Sequence, residues 1–340
     1  MVQILLQILV YLIFIMIFCV GIRKEHSLSE HECYKRLNSM RGIMALEIII
    51  GHVVRYENSI LLPFGKFMLI GVAFFFFVSG WGLCKAYYEK DKYLDTFLRT
   101  RIIYLCGVIV IALLITTLFD YICPIATCYS LHPLEDMELI RKLVDNINWY
   151  MRELLLLYFV FYFVFKIVRK YQIVILTMVV VVIACILHVS GFGRCWYASI
   201  MTFPLGFVFY VYFSKMITFL KTPKGIFVIG GLGIWGLSSL IIDEKLFVPI
   251  FLANNSLCIC MILILVLFSI AFCMENKAKD FLNKYATELY LFQFIFLSIA
   301  ESAKWNYWHK MLFVVALDVL VSMLVHPVVI FLKHLCKSKG

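Results

Sequence analysis

The chain has 340 residues, of which 64% are hydrophobic and only 15% are charged, and its formal net charge is +10. An apolar share this far above that of soluble domains, spread along the whole chain, excludes a soluble globular protein and indicates an integral membrane protein. The positive charge indicates topology and affinity for anionic lipid or an anionic cytosolic ligand. It does not indicate nucleic-acid binding, because no basic soluble domain is left to hold a duplex.

Apolar runs near the ~20 residues that a membrane-spanning helix needs recur from one end of the chain to the other. They predict an all-α fold, a polytopic transmembrane helical bundle that forms one membrane domain with eleven spans. The predicted spans are Val2–Ile22, Ser39–Tyr56, Lys66–Tyr87, Ile102–Ile122, Ile147–Phe165, Ile173–Val189, Trp196–Phe213, Gly225–Ile242, Phe251–Met274, Ala286–Ala300 and Met311–Leu332.

The charges between the spans predict the orientation, because Lys and Arg are retained on the cytoplasmic side of a membrane. More than two thirds of the 31 Lys and Arg residues fall on alternate connections and on the C-terminal tail. With eleven spans, this bias predicts a cytoplasmic C-terminus and an external N-terminus. The first span has no basic residues before it and no small-residue cleavage site after it, so we expect a retained helix and not a signal peptide.

The second span contains three ionisable groups in one apolar run, RGIMALEIIIGHVV. Arg41 and His52 are 11 residues apart, which in a helix is three turns plus about 20° and a rise of about 16 Å. They therefore share one face, with Arg41 at the cytoplasmic mouth and His52 near mid-membrane, an arrangement suited to guiding an anion and moving a proton. A topological anchor and a helix–helix hydrogen bond are the alternative, and both interpretations stay open. Glu47 lies about 120° from Arg41 around the helix, so its partner must be on another helix.

The third span contains FFFFVSGWGL, in which Ser79 and Gly80 follow a run of phenylalanines. Glycine in a span permits close helix approach or a helix break beside a cavity, so this element is either a packing contact or part of a site. Arg99 and Arg101 follow at the cytoplasmic edge of the fourth span. Their guanidiniums either bind phosphate through charge-assisted hydrogen bonds or only follow the topology rule.

The longest predicted external segment spans residues 123–146. Cys123 and Cys128 in this segment either form a disulfide or stay free, and SLHPLEDMELIRKL is either a short amphipathic surface helix or a loop. The 12 cysteines lie mostly within spans, without a CxxC pair or zinc-type spacing, so they predict no metal site.

Taken in order, these elements resemble the membrane acyltransferase 3 family, the bacterial O-acyltransferases of surface polysaccharides, over residues 34–335. RLNSMRGIMALEIIIGH is similar to the family's L-R-G…H element, with Arg41 and His52 at its arginine and histidine. FFFFVSGWGL resembles the F-F-x-x-S-G element, and FLRTRIIYL resembles the arginine-bearing segment after it. INWYMRELLLLYFVFYF is similar to the W-Y/F-L…Y-x-x-F element, and KYATELYLFQFIF to the late S-x-x-I-Y-L-x-H element. The first of these places Trp149, Tyr150 and Tyr158 at its landmarks, and the second places Tyr290 and Leu291 on its tyrosine–leucine pair.

The chain departs from the family pattern at three places. Gln293 stands where the late element has histidine, Tyr104 and Leu105 stand where a proline commonly follows the arginine segment, and Glu47 replaces an apolar residue. The family core has ten spans with both ends inside, so residues 1–22 are expected to form an additional N-terminal transmembrane helix.

The resemblance implies an acyl-CoA-dependent acyltransferase of the bacterial plasma membrane. The donor is cytosolic acyl-CoA, most often acetyl-CoA, and the acceptor is a hydroxyl of a cell-surface or lipid-linked carbohydrate (glycan). His52 is then the general base, or the nucleophile of an acyl-histidine intermediate, and Arg41 orients or binds the donor. Donor phosphates are expected at Arg99, Arg101 and Arg36. Further residues are expected in substrate contact or packing near the site, namely Ser79, as either an oxyanion donor or a packing residue, and Gly80, Trp149, Tyr150, Tyr290 and Glu47. No resident cofactor, metal or nucleic-acid partner is expected.

The alternative is a multi-span transporter or exporter of a polysaccharide precursor or small solute. The span count and the polar residues at mid-membrane suggest it. Support would come from inverted halves with broken helices, and the sequence contains no such repeat that we can identify.

Overall fold

The computed structural model describes residues 2–25, 29–54, 62–122, 148–243, 246–303, 305 and 307–337. Within these residues the protein is almost entirely helical, which confirms the predicted all-α class. The α-helices are α1 (Val2–Cys19), α2 (Glu30–Asn38), α3 (Arg41–Val54), α4 (Leu62–Glu89), α5 (Tyr93–Phe97), α6 (Tyr104–Ile122), α7 (Trp149–Ile167), α8 (Gln172–Val189), α9 (Thr202–Leu220), α10 (Pro223–Leu237), α11 (Phe247–Ala271), α12 (Lys277–Lys284), α13 (Ala286–Ser302) and α14 (Tyr307–Lys337). Cys123, Cys128 and the predicted surface helix lie outside the described residues.

Shorter elements connect these helices. A π-helical segment, Leu98–Ile103, joins α5 to α6, and 3-10 turns cover Arg194–Trp196 and Ser238–Leu240. Two three-residue strands, β1 (Ile22–Lys24) and β2 (Phe272–Met274), pair antiparallel. This pairing joins the chain after α1 to the chain after α11.

Eight stretches of helix in the described residues are long and apolar enough to cross a membrane. They are Glu30–Val54, Met68–Glu89, Tyr93–Phe119, Gln172–Val189, Thr202–Leu220, Pro223–Leu240, Phe247–Ala271 and Trp308–Lys337. The other three predicted spans also coincide with helices, α1, α7 and α13. Two of these are marginal spans, because α7 contains Arg152, Glu153 and Lys166 and α13 has only 17 residues. The count of eleven and the cytoplasmic C-terminus stay predictions.

Glycines set the closest helix contacts around α3 and α4. A side chain at Gly80 would overlap the backbone of Phe203 on α9, and one at Gly206 would overlap α4, so these two helices cross backbone to backbone. At Gly42 on α3, an added Cβ would overlap the backbone of Leu282 at the end of α12. The absence of a side chain at residue 42 therefore brings the α12–α13 junction up to the first turn of α3.

Candidate functional site

A cavity of about 370 Å³ lies among α2, α3, α4, the π-helical segment, α6, α7, α12, α13 and α14, and we call it the main cavity. Four basic side chains line it, those of Arg41, Arg101, Lys284 and Lys333. Glu288 is the one acidic residue in its described lining. This excess of positive charge in a low-dielectric enclosure favours an anionic ligand.

Arg41 and Arg101 are both held by neutral hydroxyl groups. Arg41, the first residue of α3, donates from Nη2 to Thr287 Oγ1 on α13 at 3.1 Å. Arg101, in the π-helical segment, donates from Nε to the Tyr93 hydroxyl at 3.1 Å. Neither forms an ion pair with a carboxylate of the described chain, so these contacts orient the two guanidiniums without neutralising them.

Arg41 and His52 both contact α13. Arg41 meets Thr287, and the ring of His52 packs edge-to-face on Phe294 with centroids 4.7 Å apart. Both ends of the predicted stripe thus face α13, as their 11-residue spacing requires. His52 is not among the residues that line the main cavity.

A layer of three aromatic rings separates the level of the cations from the level of His52. Phe75, Tyr150 and Tyr290 all line the main cavity, and their ring centroids are 4.9 to 6.0 Å apart. The Tyr290 hydroxyl donates to Asn148 Oδ1 at 3.3 Å. On α13, Tyr290 comes one turn after Thr287 and one turn before Phe294, so His52 lies one helical turn beyond the ring layer.

The main cavity also contains a hydrogen-bonded pair that the sequence analysis missed. Glu288 Oε1 and His326 Nδ1 are 2.7 Å apart, with side chains only 3% and 14% exposed. The His326 ring also contacts the ring of Tyr285, 4.8 Å between centroids. Because Nδ1 faces Glu288, Nε2 is the ring nitrogen left for proton exchange with the cavity.

Of the predicted site residues, the main cavity brings together Arg41, Arg101, Ser79, Tyr150 and Tyr290. Its lining does not include His52, Arg36, Arg99, Gly80, Trp149 or Glu47. Gly80 faces Phe203 on α9, and the Trp149 ring lies 6.2 Å from that of Trp196. The buried Glu47 Oε2 has no hydrogen-bond partner and faces Gly71 on α4.

Arg36 and Arg99 bind main-chain carbonyl groups. Arg99 donates from Nε to Cys336 O at the end of α14, at 3.0 Å. Arg36 donates from Nη1 to Glu25 O at 2.9 Å and to Ser269 O at 3.2 Å. Its other nitrogens pair with carboxylate oxygens of Glu25 and Glu32 at 3.1 and 3.6 Å. These contacts are structural, because they satisfy carbonyl groups after β1 and near helix ends.

A second cavity of about 220 Å³ lies beside β2, and Lys35, Arg36 and Lys279 line it. Lys279 is buried, and its Nζ donates to Met274 O at 2.6 Å and to Ser39 Oγ at 3.2 Å. Glu32, Glu275 and Asp280 also line this second cavity. Its cations are therefore largely compensated.

Sequence reasoning missed the Lys, Glu and His residues of the main cavity, namely Lys284, Lys333, Glu288 and His326, and it also missed Thr287, which binds Arg41. The charge count of the sequence analysis includes Lys284 and Lys333 only as indicators of topology, although His326 and Lys333 are seven residues apart and share a helix face. That spacing was the available signal. Among the described residues, no group of three or more His, Cys, Asp or Glu side chains is arranged to hold a metal ion.

Comparison with known proteins gives one match. The model of a family described as an acyltransferase domain matches residues 34–331, which leaves α1 outside the matched range. No curated protein and no solved structure matches the chain.

Proposed function

The chain belongs to the acyltransferase 3 family, and from this premise we propose that it transfers an acyl group, in the first place acetyl, from cytosolic acyl-CoA to a hydroxyl of a surface or lipid-linked glycan. We choose this donor because four basic side chains line the main cavity, and Glu288 is the only acidic residue in its described lining. Coenzyme A carries its negative charge on phosphates at one end and its acyl group on a flexible arm at the other. The family match does not favour the alternative of a transporter.

We assign the donor phosphates to Arg101, Lys284 and Lys333, with Arg41 at the start of the acyl arm. A guanidinium that donates one hydrogen bond to a hydroxyl still has other N–H groups to donate to a phosphate. Hydrogen bonds between charged groups are stronger than those between neutral groups. Arg36 and Arg99 already bind main-chain carbonyl groups. We therefore propose that Arg36 and Arg99 contribute to donor binding only indirectly, because they hold the cytoplasmic ends of the helices in place.

His52 is the proposed general base. The acyl arm would pass the layer of Phe75, Tyr150 and Tyr290 to reach the level of the imidazole, one helical turn further along α13. The acceptor oxygen then forms a bond to the acyl carbon while His52 takes its proton, and the C–S bond breaks with its electron pair on sulfur. Ser79 lines the cavity one helical turn from Phe75 on the side of the cations, so we propose that it contacts the acyl arm there and not the oxyanion beside His52. An acyl-histidine intermediate uses the same residues.

The acceptor is proposed to approach from the opposite end of the bundle. Trp149 precedes Tyr150 in the sequence, and its ring lies beside the ring of Trp196. The Arg152 guanidinium packs over the Trp196 ring, 4.9 Å from its centroid. Aromatic rings with a polar rim suit the faces and hydroxyls of sugars. This proposal takes the membrane to be the bacterial plasma membrane, with eleven spans and a cytoplasmic C-terminus.

Transfer of labelled acetate tests the proposed function. Membrane vesicles from the source organism, with the gene deleted and then restored, contain the natural acceptor. We expect radiolabelled acetyl-CoA to yield base-labile label in carbohydrate with the wild type and none with His52→Ala. Purified His52→Ala should still bind CoA. The matched control is His188→Ala, whose ring stacks on Phe247 away from the main cavity.

Two results would count against this proposal. Full transfer by His52→Ala would remove the base, and no labelled carbohydrate with the wild type would contradict acetyl-CoA-dependent transfer to a glycan.

A further inference from the structure

A polar stripe runs along α14 from the main cavity into the interior of the bundle. Its members are His326, Ser322 and Asp318, at intervals of four residues. Steps of four residues keep side chains on one face of a helix with a drift of about 40° each, and eight residues rise about 12 Å. His326 lines the main cavity, whereas Ser322 and Asp318 are completely buried.

The two inner members of the stripe have unpartnered oxygens. Both carboxyl oxygens of Asp318 and the hydroxyl oxygen of Ser322 are buried without a hydrogen-bond partner. An acidic side chain inside a membrane helix costs about 2.5–3.5 kcal/mol on insertion scales, so its presence indicates a function in moving ions or protons. Packing alone does not explain Asp318, because leucine or asparagine would fill similar space at lower cost.

Pro327, inside α14, leaves one main-chain carbonyl of the same stretch free to accept a hydrogen bond. Proline has no N–H, so the carbonyl of Met323, four residues earlier, cannot receive its normal helical hydrogen bond. Met323 follows Ser322 directly and precedes His326 by less than one turn. Freed carbonyls in membrane helices are commonly satisfied by serine side chains and ordered water. Successive stripe residues are about 6 Å apart along the axis, and one water with two hydrogen bonds of about 2.8 Å spans that gap.

Ring contacts between α13 and α14 fix the level of Asp318. Tyr285 contacts His326, and Phe296 contacts Phe313, so the two helices are antiparallel. By interpolation between these contacts, Asp318 lies level with Phe292. That position is within one turn of Phe294, the residue on which His52 packs. The stripe therefore connects the level of His52 to the main cavity, and α14 also packs directly on α3.

We propose that Asp318, Ser322 and His326, with Glu288 holding the His326 ring, form a proton-exit path that resets the base after each transfer. The inference rests on the proposed function. Transfer leaves His52 as an imidazolium, and sulfur departs as the CoA thiolate. The proton on His52 passes to one oxygen of the Asp318 carboxyl group while its other oxygen releases a proton, which moves through Ser322 and water to His326 and into the main cavity. The thiolate takes one proton from cytosolic water, so one proton enters and one leaves the cytosol and the cycle is balanced.

The first turnover is the readout that separates this role from a structural one. In the same vesicles, rapid-quench measurements with saturating labelled acetyl-CoA resolve the first transfer, one per protein molecule, from later ones. For Asp318→Asn we expect a first turnover at the wild-type rate and later turnovers slowed by ~10²-fold, the usual scale of proton-transfer contributions. His326→Gln and Ser322→Ala should show the same pattern, and formate should partly restore the later turnovers of Asp318→Ala.

Matched controls come from equally buried groups off the stripe. Glu153 on α7 is an equally buried carboxyl group without a partner, and Ser199 is an equally buried serine. Glu153→Gln and Ser199→Ala should retain wild-type rates in both phases. Equal slowing of the first and later turnovers in Asp318→Asn, or no slowing at all, would overturn the path while leaving the proposed function intact. If the wild type transfers no acetyl group, the proposed function fails, and the path fails with it.

Discussion

The two cavities of this protein both contain buried cations, but the partners of those cations differ. In the main cavity, Arg41 and Arg101 contact the neutral hydroxyls of Thr287 and Tyr93. In the second cavity, Arg36 pairs with two glutamates, and Lys279 pairs with Asp280 at 3.4 Å while donating to a main-chain carbonyl. The first arrangement keeps positive charge for a ligand, whereas the second uses it within the fold.

The difference teaches that a count of basic residues does not identify an anion site. A buried cation whose charge is compensated by carboxylates contributes to the order of the chain around it, and a ligand would have to compete for it. A cation that is oriented by hydroxyl groups is buried without a counter-ion. It is therefore the one that gains when an anionic ligand arrives.

The largest expected effect is the loss of donor binding when both uncompensated guanidiniums are removed. Each hydrogen bond between charged groups contributes about 1.5–3 kcal/mol. For Arg41→Ala combined with Arg101→Ala, we expect CoA affinity to fall by ~10²-fold, equivalent to about 3 kcal/mol. Isothermal titration of the purified protein with CoA measures it. Unchanged affinity would remove the distinction between the two cavities.

A smaller effect, on stability instead of binding, is expected in the second cavity. Lys279→Met removes the donor to Met274 O and leaves that buried carbonyl without it, which should lower the free energy of unfolding by about 2 kcal/mol. CoA affinity should not change. Lys277→Met, on the exposed side of the same short helix, is the control and should alter neither quantity. Weakened CoA binding in Lys279→Met alone would show that the second cavity also takes part in donor binding.

The smallest effect is that of salt on the wild type. Raising ionic strength from about 0.05 to 0.5 M shortens the Debye length to below about 5 Å, so CoA affinity should fall several-fold. The temperature of unfolding should change little, because the ion pairs of the second cavity combine with main-chain hydrogen bonds and are partly buried. A salt-insensitive affinity would indicate that donor binding depends on contacts other than the four cations.

Helical periodicity and hydropathy were sufficient to predict the class of fold and most of the helices. These signals are local, since each residue's contribution depends on its near neighbours in the chain. The number of spans is harder to predict, because it depends on helices whose local signal is weak. The three charges of α7 and the 17 residues of α13 give weak local signals, although both helices pack in the bundle.

The candidate site was predicted only in part, because it is assembled from residues far apart in sequence. Arg41 and Arg101 belonged to recognisable elements, but so did Arg36 and Arg99, and no local pattern distinguishes a guanidinium that faces a cavity from one that binds a carbonyl. The Glu288–His326 pair joins residues 38 positions apart on different helices. The packing of Gly42 on Leu282, which places the end of α12 beside the first turn of α3, is likewise a tertiary contact.

The π-helical segment Leu98–Ile103 gives residue 101 its orientation. Such a segment accommodates one residue more than the regular helix would over the same rise. Deleting a single residue there, such as Thr100, would restore regular winding and leave α5 and α6 in nearly the same relative orientation, because the wide turn absorbs the additional residue. The residues inside the segment, Arg101 among them, would then change position relative to Tyr93 although neither side chain had been altered. Loop and helix lengths, as well as amino-acid identities, therefore have to be preserved in any engineered or shortened version of this enzyme.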